Sequence, residues 1–291
     1  MSRTQVSRMI SQAKSEGVVD FTIRNPFSKE SALEGEMLDY FNLRDVIVVD
    51  TNEPDIGKSD SLMAQAGAAY LETVFHDGDI IGVMAGKTIN TLAKELKETE
   101  RKNLNFVPLI GGWGSVGISG HSNFNASLMA KQTKGTGWLL HAPAIVSSVK
   151  TRSILYEENE IKRVIKMGNN ANIAIIGIGE IARSASFVNS INFNQRDLDS
   201  IAFAGAVGSI CTSFINVKGE EVVKDVSARM IGISGKNLKR IPQVIAMACG
   251  AHKVDAIHAT LNGRWVDVLI TDVYTAKAIL EKEKIIRGEM K

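Results

Sequence analysis

The chain has 291 residues, of which 44% are hydrophobic, 23% charged and 6% aromatic. These values are typical of globular proteins, and the length allows one large domain or two. The formal net charge of +2 excludes the strongly basic proteins that coat nucleic acid or membranes over their whole surface, so any such contact needs a local patch.

Two further features of the composition bear on location. Cys211 and Cys249 lie among apolar or small residues without a CxxC motif, which is typical of buried thiols in a reducing cytosol. The first thirty residues hold no apolar segment behind a basic start, and no uncharged run approaches the length of a membrane span. We therefore expect a cytoplasmic protein without membrane contact.

The first segment has the pattern of a short basic helix. Apolar residues recur at helical spacing over residues 4–15, and Gly17 follows as a stop signal. Arginines and short polar donors suit contacts with phosphates and base edges in a DNA major groove. The candidates for DNA contact are Ser2, Arg3, Thr4, Gln5, Ser7 and Arg8. The same pattern is also compatible with an ordinary solvated face, and spacing alone does not decide.

The next segments alternate between strand and helix patterns. They predict a strand over 18–26, a charged helix over 30–42, a strand over 46–49, a polar loop over 51–60 and a long helix over 61–75. We place a domain boundary between residues 23 and 50.

Residues 79–96 predict a strand, a tight turn and an amphipathic helix, and the rest of the chain is organised around this unit. In the turn, Gly86 lets backbone N–H groups approach a ligand, while Lys87 and Thr88 stand at the positive end of the helix dipole. These are the parts of a phosphate cradle. The segment is not a Walker motif, however, and an ordinary strand–helix loop also accommodates Gly and Lys.

The same pattern repeats towards the end of the chain. It predicts helices over 121–132 and 154–168, buried strands over 106–110, 139–148 and 172–181, and further strand–helix units within 241–263 and 265–280. Between them, residues 216–219 predict a tight turn between antiparallel strands. Apolar strands separated by helices indicate an α/β fold with a mainly parallel sheet covered on both faces.

In such a sheet, ligands bind at the carboxyl ends of the strands. The glycine-rich loop that begins at Gly111 and Gly112 follows one strand, and it suits either an anion or a mobile surface loop. Arg229 and Lys253 join Lys87 as candidate cations for a phosphate. Asp272 follows the last strand, where it accepts sugar hydroxyls or simply caps the next helix.

No sequence motif indicates a catalytic site. The five histidines form no HExxH motif, and no serine lies in a GxSxG elbow. We therefore predict a binding protein and not an enzyme, with no catalytic residue, metal or cofactor.

Six stretches between about residues 50 and 280 carry a further signal. They read GVMAGKTINTLA, FVPLIGGWG, HAPAIVSS, NIAIIGIG, GAVGSICTSFINVKGE and IPQVIAMACGAHKVDAIHATLNGRWVDVLITDVYTAKAIL. In this order they resemble the effector-binding domain of the sorbitol-operon (SorC) family of bacterial transcriptional regulators. The resemblance implies a Rossmann-like α/β domain that binds a phosphorylated sugar and alters operator binding.

The resemblance also assigns roles to single residues. The family's phosphate loop, Gly-Gly loop, ligand-facing asparagine and effector-contacting basic positions fall on Gly86, Lys87, Thr88, Gly111, Gly112, Asn125, Arg229 and Lys253. The chain departs from the family at Ser209 and Asn216, where Asp is usual.

The start of the chain is similar to the family's recognition helix and following strand. The resemblance therefore divides the chain into a partial helix-turn-helix (1–24), a linker or oligomerisation segment (25–50) and an effector-binding domain (51–291). A complete helix-turn-helix needs another helix before the recognition helix. We accordingly expect either a piece of a longer regulator or a form that has lost DNA binding.

Taken together, these patterns predict a DNA-binding regulator of carbohydrate metabolism that self-associates as a homodimer or homotetramer. Its expected partners are a phosphorylated sugar and, if the helix-turn-helix is complete, operator DNA. Two alternatives remain open: an enzyme related to sugar-phosphate isomerases or deaminases, and a binding module without DNA contact that acts by hetero-oligomerisation.

Overall fold

The computed structural model describes residues 29–50, 56–112, 120–181 and 193–289. The helices are α1 (Lys29–Phe41), α2 (Ile56–Val74), α3 (Lys87–Glu95), α4 (Ser122–Thr133), α5 (Val149–Glu157), α6 (Asn159–Asn169), α7 (Gln195–Phe203), α8 (Lys224–Ser227), α9 (Gly235–Leu238), α10 (Val254–Asn262) and α11 (Val273–Ile286), with a 3₁₀ turn at Ala251–Lys253. The strands are β1 (Asp45–Val49), β2 (Ile80–Val83), β3 (Asn105–Pro108), β4 (Thr136–Gly137), β5 (Ile173–Gly177), β6 (Gly179–Glu180), β7 (Ala206–Ile210), β8 (Ser213–Asn216), β9 (Glu221–Val222), β10 (Gln243–Met247) and β11 (Val268–Asp272).

Seven of these strands form one sheet in the order β1-β11-β10-β5-β2-β3-β4, and every pair in it is parallel. The predicted α/β fold with a mainly parallel sheet is therefore confirmed. Neighbouring strands β2 and β5 lead to opposite sides of the sheet, since β2 is followed outward by β3 and β5 by β10. Such a switch in direction opens a crevice at the carboxyl edge, where ligands of α/β proteins bind.

Helices cover both faces of this sheet. On one face, strand residues such as Ile81 and Ile175 pack with apolar residues of α2, α3 and α4. On the other face, Ala174 and Leu269 pack with α1, α10 and α11. Strands buried on both faces explain the nearly continuous apolar runs in the sequence.

A smaller antiparallel sheet, β6-β7-β8-β9, packs its strands β7 and β8 against α10. The tight turn predicted at 216–219 is confirmed. The N–H of Gly219 donates to the Asn216 carbonyl at 2.9 Å, and the side-chain oxygen of Asn216 accepts from the N–H groups of Lys218 and Glu220 at 3.0 and 3.1 Å. An asparagine suits this position because its side chain satisfies turn N–H groups.

The buried strand predicted over 139–148 is wrong. The segment is irregular, with isolated bridges at Pro143 and Ile145, and Leu139 is exposed. Pro143 has no N–H to donate, so the segment cannot form a regular inner strand. It lies instead beside Gly112, whose N–H donates to the Ala142 carbonyl at 2.8 Å.

Three other boundaries differ from prediction. The single helix expected over 154–168 is two helices, because Glu158 adopts an extended ψ of 126° between α5 and α6. Helix α2 begins at Ile56, within the predicted polar loop, since polar residues are equally suited to a helix's first turn. The strand expected over 172–181 divides at Ile178, which separates β5 from β6.

The sequence interpretation missed α7. Its start is a capping box, in which the side chain of Asn194 accepts from the Asp197 N–H and that of Asp197 accepts from the Asn194 N–H. This pattern, a short polar residue followed three positions later by an acid, was present in the sequence as a signal.

Within the segment 25–50, expected as a linker or oligomerisation segment, α1 packs in the core and β1 pairs with β11 along its whole length. The division into domains stays a prediction. The predicted helix over 4–15, the strand over 18–26 and the DNA-contact candidates lie outside the described residues. No helix among the described ranges is long and apolar enough to cross a membrane.

Candidate functional site

The loop between β2 and α3 lies at the carboxyl edge of the sheet. Gly86 precedes α3 with a φ of 136°, a backbone conformation that side-chain-bearing residues rarely adopt. Its N–H donates to the Gly120 carbonyl at 2.7 Å, while its own carbonyl accepts the first helical bond, from Asn90, at 3.0 Å. No side chain of the described residues caps α3. The first turn of α3 therefore has N–H groups without a side-chain cap from the described residues, which is what an anion site at a helix start requires.

The side chain of Asn125 in α4 forms hydrogen bonds with the backbone of this loop. This side chain is fully buried, and its amide nitrogen donates to the carbonyls of Met84 and Gly86 at 3.2 and 3.3 Å. Its oxygen accepts from the amide of Asn90 at 3.0 Å. Direct effector contact by Asn125 stays a prediction; its hydrogen bonds favour a role in positioning the loop.

The first turns of α2 bridge the two sides of the crevice. On one side, Ser59 donates from its hydroxyl to Asp272 at the end of β11, at 2.6 Å. On the other, the hydroxyl of Thr88 in α3 donates to the carboxylate of Asp60 at 3.1 Å. Because Ser59 and Asp60 are consecutive, these contacts fix the separation between the loop after β2 and the end of β11.

Asp272 itself is buried and fully engaged by protein groups. One oxygen accepts from the Thr275 N–H at 2.7 Å, which caps α11, and the other accepts from Ser59. Of the two roles considered for Asp272, helix capping is the one its contacts support. Contact with sugar hydroxyls stays a prediction.

The loop after β10 brings Lys253 to the same edge. The N–H of Gly250 donates to the hydroxyl of Thr275 at 2.8 Å, and the N–H of Lys253 donates to the Gly250 carbonyl at 2.9 Å. Lys253 is half-buried and forms no ion pair with another described residue. Lys87 is exposed and likewise unpaired within the described ranges.

The two cysteines are buried, as predicted, and both thiols are free. Burial raises the pKa of Cys211 to about 12. Burial also raises the pKa of Cys249 to about 12, and the nearby carboxylates of Asp272 and Asp60 add to this rise while Lys253 opposes it. The charges of Asp60 and Lys253 therefore both act on the Cys249 thiol, which follows β10.

The Gly111–Gly112 pair has its N–H groups bonded within the protein. That of Gly111 donates to the Ile231 carbonyl at 2.9 Å, and that of Gly112 to the Ala142 carbonyl. A Cβ at Gly111 would stand 2.4 Å from the Pro143 carbonyl oxygen. Gly111 therefore permits close backbone packing. A contact between the N–H groups of the two glycines and an effector stays a prediction that this geometry does not favour.

Arg229 is also committed to the protein. Its guanidinium forms an ion pair with Asp197, and it donates to the Val146 carbonyl at 3.4 Å. The two side chains are only 16% and 6% exposed. Effector contact by Arg229 stays a prediction, and the ion pair favours a structural role.

The candidates thus fall into two groups. Gly86, Lys87, Thr88 and Lys253 lie in the loops and helix starts that follow β2 and β10. The N–H groups or side chains of the other candidates are bonded to protein groups, namely those of Gly111, Gly112, Asn125, Arg229 and Asp272. The sequence interpretation missed Ser59 and Asp60, because they lie in a polar stretch assigned to a loop. No cluster of three or more His, Cys, Asp or Glu residues in the described part of the chain is arranged to hold a metal ion.

Comparison with known proteins relates this geometry to a family. Residues 25–281 match the family described as "Putative sugar-binding domain". The chain is 29% identical over 280 residues to the deoxyribonucleoside regulator of Bacillus subtilis, covering 96% of this chain and 89% of that protein. It is 29% identical over 278 residues to the erythritol catabolism regulatory protein EryD of Brucella abortus, covering 94% and 86% of the two chains.

Among solved structures, the full-length sorbitol operon regulator SorC from Klebsiella pneumoniae superposes with a TM-score of 0.81 at 24% identity, covering 96% of this chain and 90% of that one. This likeness concerns the fold, while the family match spans most of the sequence. The resemblance deduced from the motifs is thereby confirmed. The chain belongs to the sugar-binding domain family of SorC-type transcriptional regulators.

Proposed function

We propose that this protein senses a phosphorylated sugar at the carboxyl edge of the sheet, between the loops that follow β2 and β10, and thereby regulates transcription of a carbohydrate-metabolism operon. The observation that carries the proposal is the start of α3. A helix N-terminus without a side-chain cap, with Lys87 and Thr88 in its first turn and Lys253 on the facing loop, is suited to a phosphate group.

The relatives support a polyhydroxylated effector. The names of two of them refer to deoxyribonucleosides and to erythritol, and the solved relative is a sorbitol operon regulator. These names describe those proteins. The molecules in these names all carry several hydroxyl groups. A crevice with both hydrogen-bond donors and acceptors is suited to such molecules.

The phosphate is inferred from charge. Two lysines at the crevice have no carboxylate partner among the described residues, and a charge-assisted contact to a phosphate oxygen contributes about 1.5–3 kcal/mol. An unphosphorylated sugar would leave both cations without a counter-ion. A phosphate placed at α3 would satisfy them together with the first-turn N–H groups.

In this proposal the protein binds the sugar phosphate and does not catalyse its conversion. The relatives named above are regulators, and the buried carboxylate at the crevice, Asp272, is held by two protein donors that would compete with any substrate proton. Effector binding would act on operator affinity through subunit contacts of an even-numbered homo-oligomer, because operators are read by symmetric assemblies.

Melting temperature against a panel of sugars, each with and without its phosphate, tests the proposal at constant ionic strength. A ligand at a hundred times its dissociation constant stabilises the folded state by about 2.7 kcal/mol. We expect only the phosphorylated members to raise the melting temperature. Equal stabilisation by the free sugars would remove the phosphate from the proposal, and turnover of any panel member would favour an enzyme.

Lys253→Ala gives the matching mutational test. We expect it to weaken binding of the best sugar phosphate at least about tenfold, because one charge-assisted contact is lost. Lys131→Ala is the control, since Lys131 is an exposed lysine in the last turn of α4. Titration calorimetry measures both. Unchanged affinity in Lys253→Ala would take this residue out of the site.

A further inference from the structure

The proposed phosphate site contains one negative charge that a phosphate does not explain. Asp60 lies in the second turn of α2 and accepts a hydrogen bond from Thr88, a residue of the proposed phosphate loop. A carboxylate accepts hydrogen bonds only, and it repels a phosphate nearby. If phosphate were the whole ligand, an acid at this point would weaken binding.

The burial of Asp60 differs from that of its polar neighbours. Ser59 is fully buried and Asp272 is 4% exposed, and the side chains of both are bonded to each other. Asp60 is half-exposed, and its second carboxylate oxygen has no hydrogen-bond partner among the described residues. It therefore keeps acceptor capacity at a position that is only partly buried, next to Thr88 of the proposed phosphate loop.

The charges around the crevice are not paired with one another. Lys87 and Lys253 form no ion pair with Asp60, although Lys87 is the residue before Thr88 and the charges of Asp60 and Lys253 both act on Cys249. Two cations and one carboxylate that have no ion-pair partner among the described residues suit a ligand that has both an anion and hydrogen-bond donors. A sugar phosphate has this pairing of groups, whereas inorganic phosphate at neutral pH is chiefly an anion.

We propose that Asp60 is the specificity-determining residue of the site: it accepts hydrogen bonds from hydroxyl groups of the sugar, and so selects sugar phosphates over phosphate itself. This inference rests on the proposed function, because it needs the phosphate to be held at α3. Asp60 contributes the acceptor, and Thr88 fixes the orientation of its carboxylate through the 3.1 Å hydrogen bond.

The test compares two probes on one substitution. Asp60→Asn keeps the size of the side chain and an oxygen that accepts from Thr88, and it removes the negative charge. Calorimetric titration at fixed pH and ionic strength would use inorganic phosphate and three sugar phosphates: ribose 5-phosphate, fructose 6-phosphate and sorbitol 6-phosphate. Glu72→Gln serves as the control, because it removes one exposed negative charge from the same helix.

Sugar phosphates and inorganic phosphate should respond differently to Asp60→Asn. We expect Asp60→Asn to weaken the tightest sugar phosphate at least about tenfold, because hydrogen bonds to a charged acceptor are the strong ones. Inorganic phosphate should bind with equal or higher affinity, since a repelling charge has gone. Glu72→Gln should leave both affinities within about twofold of the original.

Parallel changes would overturn the proposal. If both probes weaken together, Asp60 only holds Thr88 in place, and Thr88→Val should then reproduce the same parallel loss. If both probes bind more tightly to Asp60→Asn, the carboxylate of Asp60 only repels anions and contacts no sugar hydroxyl. If the wild-type protein binds inorganic phosphate as tightly as every sugar phosphate, the proposed role of Asp60 is overturned, but the proposed phosphate site at α3 is not. A wild-type protein that binds neither would overturn the proposed function as well.

Discussion

Arg229 and Lys253 look alike in the sequence, because both are cations close to apolar segments. Their partners distinguish them. The guanidinium of Arg229 is paired with Asp197 in a largely buried contact, which also ties the capping box of α7 to the segment before Met230. Lys253 stands at the crevice without an ion pair among the described residues. Only the second cation is available to a ligand.

Arg229→Met tests this distinction. We expect the free energy of unfolding to fall by about 3 kcal/mol, because the buried carboxylate of Asp197 loses its counter-charge. Urea denaturation at neutral pH measures the change, with exposed Arg240→Met as a control within about 0.5 kcal/mol of the original. Effector affinity of the folded variant should change less than about threefold. A large loss of affinity with little loss of stability would make Arg229 a ligand contact.

At the scale of elements, α3 and α4 are joined by a buried pair of asparagines under the proposed phosphate loop. Asn90 in α3 donates to Asn125 in α4, and Asn125 donates to the two loop carbonyls of Met84 and Gly86. A buried polar network of this kind is stabilising only when each member is satisfied. The pair therefore sets the position of the loop relative to both helices.

Asn125→Ala should disturb stability and binding together. It leaves buried polar groups without partners, and we expect the free energy of unfolding to fall by about 2–3 kcal/mol. Because the loop moves as a whole, the binding of inorganic phosphate and that of sugar phosphates should weaken by similar factors, unlike the different responses expected for Asp60→Asn. Exposed Ser127→Ala in the same helix is the control. A selective loss of sugar phosphate binding would restore Asn125 as a direct contact.

Another element shows how a chain segment can be apolar without being a strand. Residues 139–148 cross the end of β3 and bond to Gly112 and to the segment before Ile231. Their bonds use the carbonyl of Ala142 and the N–H of Ala144 on either side of Pro143. The Gly111 position accommodates this crossing because a side chain there would strike the Pro143 backbone.

At the scale of the whole molecule, α10 and α11 begin near the proposed effector edge and both contact α1, which follows the N-terminal segment. The ring of Phe41 in α1 meets that of His258 in α10 edge-on, with centroids 5.9 Å apart. His258 is hydrogen-bonded to Glu283 of α11 at 2.7 Å, and Arg287 bonds to the same carboxylate at 2.6 Å. A shift of either helix at the crevice would therefore reach α1 directly.

The same cluster makes stability depend on pH. Burial lowers the pKa of His258 below its ordinary value of 6.5, although the bond to Glu283 opposes this. Burial tends to raise the pKa of Glu283, but hydrogen bonds from Arg287 and His258 outweigh it and hold the pKa below 4.5. In both cases the unfolded chain binds protons more readily, so stability is lost as the pH falls, first below 6.5 and then below 4.5.

His258→Gln should remove the loss of stability that begins below pH 6.5. We expect the wild-type free energy of unfolding to fall between about pH 7.5 and 5.5, and the variant to show a smaller fall over that interval even if it is less stable overall. Urea denaturation at the two pH values gives the difference. His76→Gln, at a histidine whose side chain is 78% exposed, should keep the wild-type fall. An equal fall in His258→Gln would assign the pH dependence to other groups.

Local patterns in the sequence determined the α/β fold, the parallel sheet and the turn at 216–219, because apolar periodicity and turn chemistry act over a few neighbouring residues. They also located the Gly86–Thr88 loop at a strand end, where the fold opens. Motif similarity added the family.

Only the tertiary structure decided which candidate groups remain available to a ligand. Asp272 is engaged by Ser59, 213 residues away, and the partners of Arg229 and Asn125 lie 32 and 39 residues from them. No local pattern reports such distant partners. A carboxylate, a guanidinium or an amide can bind a ligand only where the folded chain has not already satisfied its hydrogen bonds, and the packing of the sheet, α2 and α4 settles that.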